Sequence, residues 1–116
     1  MDYRIRKIIA YMEANSHEAH RLENMAGMVN LSVSHLQHLF KAETGMCFGQ
    51  YKKKLKLERA RALLVTSFLS GKEICDKVGY GPGHFANDFK TVFGLSPLQY
   101  RRKSLAQEET NEQVIV

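Results

Sequence analysis

The sequence predicts an all-α chain in which two helix-turn-helix subdomains are joined by a long linker helix. Three observations predict it. The chain resembles itself at an offset of 49 residues. Each copy holds two apolar runs at helical spacing, separated by an Asn or a Gly. Between the copies lies a stretch that has no Gly or Pro beyond Gly49.

Residues 20–54 laid on 69–103 give eight identities: Val29/Val78, His35/His84, Phe40/Phe89, Lys41/Lys90, Gly45/Gly94, Gln50/Gln99, Tyr51/Tyr100 and Lys54/Lys103. Ordinary composition would give roughly two, so the repeat is a duplicated module. Two copies are too few for a solenoid.

Each element follows from its own residues. Ile5, Ile8, Ile9 and Met12 recur at helical spacing behind Asp2, which caps an opening helix. Leu22, Met25, Ala26 and Val29 form the next apolar stripe. Asn30 tolerates the left-handed conformation that ends a helix, and Ser32 caps the helix that follows. That helix turns Val33, Leu36, Leu39 and Phe40 inward and stops at Gly45. The linker helix offers Tyr51, Leu55, Leu57, Ala60, Leu63 and Leu64 to both cores.

In the second copy Ser70 and Glu73 have capping-box spacing. Ile74, Cys75 and Val78 make the apolar face, and Gly79 closes it. Pro82 suits a first helical turn, Phe85 and Phe89 point inward, and Gly94 ends the helix. Ser96 and Pro97 open a last helix. The boundaries expected are residues 1–47 for the first subdomain, 48–66 for the linker helix, 67–103 for the second subdomain and 104–116 for an acidic, flexible tail.

The 116 residues carry 17 Lys and Arg against 12 Asp and Glu, a net charge of +5. Residues 104–116 hold three of the acids and neither Lys nor Arg, so residues 1–103 carry +8. A basic body of this size is the electrostatic footprint of a polyanion binder. No apolar run nears the ~18 residues that span a bilayer, and no signal peptide is recognisable. Cys47 and Cys75 lack disulfide or redox spacing, which fits a reducing cytoplasm. No phosphate loop, catalytic triad or paired-carboxylate pattern appears, so no enzyme and no cofactor are expected. His17 with His20, and His35 with His38, have helical ligand spacing, but without paired Cys they read as ordinary histidines rather than a metal site. His35, echoed by His84, is expected to be partly buried, and both cysteines are expected to be buried and inert.

The segment 31–41 (Leu-Ser-Val-Ser-His-Leu-Gln-His-Leu-Phe-Lys), the stretch 57–64, and the pattern Val78-Gly79-Tyr80, Phe85, Phe89-Lys90 and Phe93 through Arg102 resemble the DNA-binding domain of the AraC/XylS family of bacterial transcription regulators. The resemblance covers about residues 2–103. It implies seven helices, two helix-turn-helix units, binding of double-stranded promoter DNA and regulation of transcription, with RNA polymerase as a further partner. The chain departs from the family at Lys52, where Leu is usual, at Lys56, where Arg is usual, and at Gly71, where an aliphatic residue is usual. A glycine inside a helix costs about 1 kcal/mol.

On this reading the second helix of each unit lies in the major groove, where every base pair is distinguishable. In the first unit the face opposite the core is Ser34, Gln37, His38 and Lys41. Gln37 can pair bidentately with adenine, Ser34 and His38 reach base edges, and Lys41 touches phosphate. By the 49-residue offset the second face is Gly83, Asn87 and Lys90 with His84 beside them. Gly83 offers only backbone, so the first unit carries more sequence information. Arg21, Lys72, Lys90, Arg101 and Arg102 complete the backbone contacts. The competing reading is a helix-turn-helix-derived protein-interaction module. With no exposed coiled-coil seam, the chain is expected to be a monomer, joined by a separate sensing domain if it is part of a longer protein.

Overall fold

The computed structural model describes the backbone of residues 1–15 and 18–115, and the side chains of those residues up to 107. His17, one of the histidines at ligand spacing, lies outside the described residues. Seven helices and no strands occur among them: α1 (Tyr3–Ala14), α2 (Leu22–Met28), α3 (Val33–Thr44), α4 (Phe48–Thr66), α5 (Gly71–Val78), α6 (Pro82–Phe93) and α7 (Pro97–Ile115). The chain divides into two compact units, Met1–Leu55 and Lys56–Val116.

In the first unit the caps are those the sequence specifies. The Asp2 carboxylate accepts the Arg4 amide at 2.8 Å and its guanidinium at 3.1 and 3.2 Å. These bonds, the guanidinium's first, hold the Asp2 carboxyl below the usual carboxylate range. Asn30 adopts φ 57°, which lets the Leu31 amide turn back to the Ala26 carbonyl at 3.0 Å. Ser32 Oγ then accepts the His35 amide at 3.1 Å and starts α3. The core behind these turns is Ile5, Ile8, Met12, Met25, Ala26, Leu36, Phe40 and Phe48. Tyr51 and Leu55 of α4 pack on its edge.

Lys52 reaches this edge too. Its Nζ lies 5.6 Å from the centre of the Phe48 ring and donates to the His20 carbonyl at 2.8 Å. The family's usual leucine could fill the space but could not satisfy that carbonyl.

The second unit repeats the plan. Ser70 Oγ accepts the Glu73 amide at 3.2 Å while the Glu73 carboxylate accepts the Ser70 amide at 3.1 Å. Gly71 is therefore the first residue of α5. It stands at a helix end, where its amide needs no intrahelical partner, so the cost expected of a mid-helix glycine is reduced. Gly79, in the left-handed conformation at φ 74°, ends α5, and Lys56 Nζ donates to its carbonyl at 3.1 Å. The core gathers Leu57, Ala60 and Leu64 of α4, Ile74, Cys75 and Val78 of α5, then Tyr80, Phe85 and Phe89. Burial and the hydrogen bond to Asp88 push the Tyr80 hydroxyl well above the usual phenol range.

At the end of the chain α7 runs to Ile115, through the residues of the acidic stretch. Leu105, Ala106 and Gln107 are good helix formers, and no Gly or Pro follows Pro97 to stop the helix.

Candidate nucleic-acid interface

Both second helices are anchored from behind by a phenylalanine. Phe40 of α3 and Phe89 of α6 are fully buried. Phe40 meets Phe48 and Tyr51 edge to face, at 5.5 and 5.3 Å between ring centroids. Phe89 meets Phe93 at 4.6 Å and Tyr100 at 5.8 Å. With the inner face fixed, the outer face is determined by the 3.6-residue period.

On α3 that outer face presents Ser34, Gln37, His38 and Lys41, all exposed. On α6 Gly83, His84, Asn87 and Lys90 are exposed. Each unit thus brings its expected reading residues together on one surface. His35 and His84 differ from the expected partial burial: both are exposed. The i, i+3, i+4 count places His35 one step past the core stripe of Leu36, Leu39 and Phe40, on the solvent side. Among the described residues the buried histidine is His20, packed against Tyr11 at 5.8 Å.

A hollow of about 630 Å³ borders α3, lined by Gln37, His38, Lys41, Cys47 and Gly49 among others. Cys47 is exposed there, contrary to the burial expected of it, because it precedes the first turn of α4 and not its packed face. Cys75 is buried as expected, and burial raises its thiol above the usual range. Among the described residues no group of three or more His, Cys, Asp and Glu is placed to hold a metal ion.

The expected backbone contacts fall in different settings. Lys41, Lys90 and Arg102 are exposed, as is Arg21 at the start of α2. Lys72 is exposed at the start of α5, but the Glu73 carboxylate already occupies that N-terminus, and a negative charge there opposes a phosphate. Arg101 is half-buried: Nε donates to the Leu64 carbonyl at 2.9 Å and Nη2 to the Ser67 carbonyl at 3.3 Å. Its first task is to cap the end of α4. Nothing in the local sequence signals that, since the partners lie 37 and 34 residues away.

Two helix-turn-helix units, each with a buried aromatic anchor and an exposed polar face on its second helix, define the class of the nucleic-acid-binding helix-turn-helix domains. A family profile described as "Helix-turn-helix domain" matches residues 25–103. The chain belongs to this AraC-type helix-turn-helix family. It is 38% identical over 95 residues to the MmsAB operon regulatory protein of Pseudomonas aeruginosa, covering 81% of this chain and 31% of that protein. It is 38% identical over 81 residues to the HTH-type transcriptional regulator GlxA of Rhizobium meliloti, covering 69% of this chain and 25% of that one. The chain thus spans roughly a quarter to a third of the length of these relatives.

Among solved structures, a transcriptional regulator with an AraC-type DNA-binding domain from Chromobacterium violaceum superposes with a TM-score of 0.81 at 28% identity, over 87% of this chain and 91% of that one. The DNA-binding domain of AdpA, a global transcriptional factor solved in complex with a target DNA, shares the fold at a TM-score of 0.79 and 24% identity, over 91% and 96%.

Proposed function

We propose that this chain binds double-stranded promoter DNA sequence-specifically and regulates transcription, with α3 and α6 each entering a major groove. The observation that carries the reading is the exposed polar face on the second helix of both units, set in a body of net charge +8 over residues 1–103. In the first unit Gln37 pairs with adenine while Ser34 and His38 reach neighbouring base edges. In the second, Asn87 reads and Gly83 lets the backbone come close. Lys41, Lys90, Arg21 and Arg102 hold phosphates. The two half-sites then lie about one helical turn apart, in successive major grooves.

The finer assignments follow from this role. A DNA reader works in the cytoplasm of a bacterial cell, and no helix among the described residues is long and apolar enough to cross a membrane. We assign no catalysis to it. The named relatives are regulators and about two and a half to three times its length, so a separate sensing domain belongs to the proposal wherever the chain is one part of a longer protein. The chain itself is proposed to act as a monomer.

One observation favours a protein contact as well. Phe68, between α4 and α5, is fully exposed, and Val65 close by is also exposed. RNA polymerase is the partner we propose for such a surface. Salt separates the two modes. Binding to duplex DNA should weaken steeply between 50 and 200 mM salt, on the order of a hundredfold or more, whereas an apolar protein contact should barely change. Binding that ignores salt would contradict the DNA reading.

A further inference from the structure

The outward positions of the two reading helices divide into two kinds. From Ser34 to Ala42, α3 exposes Ser34, His35, Gln37, His38, Lys41 and Ala42. At the 49-residue offset α6 exposes the same six places. Four pairs have diverged: Ser34/Gly83, Gln37/Ala86, His38/Asn87 and Ala42/Thr91. Two are unchanged, His35/His84 and Lys41/Lys90.

Most other identities of the repeat have internal causes. Phe40 and Phe89 are core, and Tyr51 and Tyr100 pack against them. Gly45 and Gly94 hold positive φ at the ends of α3 and α6. Gln50 and Gln99 accept the amides of Cys47 and Ser96, at 3.3 and 3.0 Å, to start the next helix. Lys54 and Lys103 lie outside the reading helices. The two histidines have no such cause. Each is the third residue of its helix, and among the described residues neither imidazole has a hydrogen bond or ring contact. Their amides are bonded, to Ser32 Oγ at 3.1 Å and to the Gly81 carbonyl at 3.2 Å.

Phosphates are the same in every DNA sequence, and base edges are not. Two modules that read different half-sites keep what touches the common part and vary what touches the variable part. Position allows it. At about 100° per residue, Ser34 and His38 lie in the middle of the exposed arc of α3 and His35 at its edge, on the side away from Gln37, where a strand of the groove wall comes within reach of an imidazole.

We propose that His35 and His84 make equivalent hydrogen bonds, imidazole N–H to phosphate oxygen, one in each half-site. They set the register of the first turn of each reading helix, as Lys41 and Lys90 do further along. The proposal rests on the DNA-binding reading above, and it moves His84 from base reader to backbone contact.

The test uses the full chain, its His35→Ala and His84→Ala variants, and a duplex recovered by selection with the unmodified chain. Affinity is measured by fluorescence anisotropy on that duplex and on a set in which one phosphate at a time is a neutral methylphosphonate. Each variant should bind about tenfold more weakly with unchanged base preference and unchanged melting temperature. At one phosphate per half-site the neutral linkage should cost the unmodified chain about tenfold and the matching variant nothing further. Either variant binding as tightly as the unmodified chain overturns the proposal. So does a variant whose preference blurs at a single base pair without coupling to a phosphate. Failure of the unmodified chain to bind any duplex at low salt overturns the DNA reading itself, and the histidine contacts with it.

Discussion

The rings of Phe40 and Tyr51 meet edge to face, 5.3 Å between centroids and at 82°. Forty-nine residues on, Phe89 and Tyr100 meet at 5.8 Å and 80°. Phe40 is on the inner face of α3 and Phe89 on that of α6, and each tyrosine is in the first turns of the helix that follows. The contact therefore fixes the rotation of α3 and of α6 about their own axes. A rotation of one residue, about 100°, would turn Gln37 either into the core or across the outer face.

Because this contact is aromatic, truncation should reveal a coupling beyond lost area. Phe40→Leu and Tyr51→Leu, alone and together, should show a coupling of about 0.5–1.5 kcal/mol in thermal unfolding. Full truncation, Phe40→Ala, should cost about 3–5 kcal/mol. Additive effects of the two leucine changes would mean the rings only fill space.

The acid side of the stability curve should report the helix caps. Bonds from Ser70, backbone first, hold the Glu73 carboxyl below the usual range, as Arg4 does for Asp2. A lowered carboxyl contributes stability above its unfolded-state pKa, and that contribution is lost as pH falls through the folded-state value. Chemical denaturation at pH 7 and at pH 3 should show Glu73→Gln less sensitive to acid than the parent chain. Equal sensitivity would remove the capping box as a cause.

Gly83 should trade stability against binding. Nothing lies within 4 Å of a Cβ placed there, and its φ is ordinary. Gly83→Ala should then stabilise the fold by up to about 1 kcal/mol. Affinity for DNA should fall if the α6 backbone comes as close to the groove as we propose. A more stable variant with undiminished affinity would show that the approach is not close.

Neighbouring arginines should behave oppositely. Arg101→Met removes two bonds to the Leu64 and Ser67 carbonyls and should cost about 1–3 kcal/mol of stability. Arg102→Ala should leave stability unchanged and lower the salt slope of DNA binding by about one. Melting curves and salt titrations of both variants distinguish the roles.

How far the sequence could be read depended on range. The caps at Asp2, Ser32 and Ser70, the turn at Asn30 and the stops at Gly45, Gly79 and Gly94 are local signals, and each occurs where its residue predicts. The exposed faces of α3 and α6 are legible for the same reason, since a helix with one buried aromatic has one opposite side. The ties made by Lys52 and Arg101 were not legible: they join residues 32 and 37 apart, and periodicity carries no record of such contacts. Cys47 departs from its expected burial because its residue type favours burial, while its place just ahead of a helix exposes it. The histidine pair lay in view in the repeat, but only exposure in both copies separates a surface contact from a packed residue.

The most direct test of the account is selection of binding sequences from random duplexes, once with this chain and once with Gln37→Ala. The expected result is a two-part motif, its halves about one helical turn apart, whose first half loses base preference in the variant by about 1–3 kcal/mol while the second is kept. No enriched sequence at low salt, or a motif that the variant leaves sharp in both halves, would contradict it.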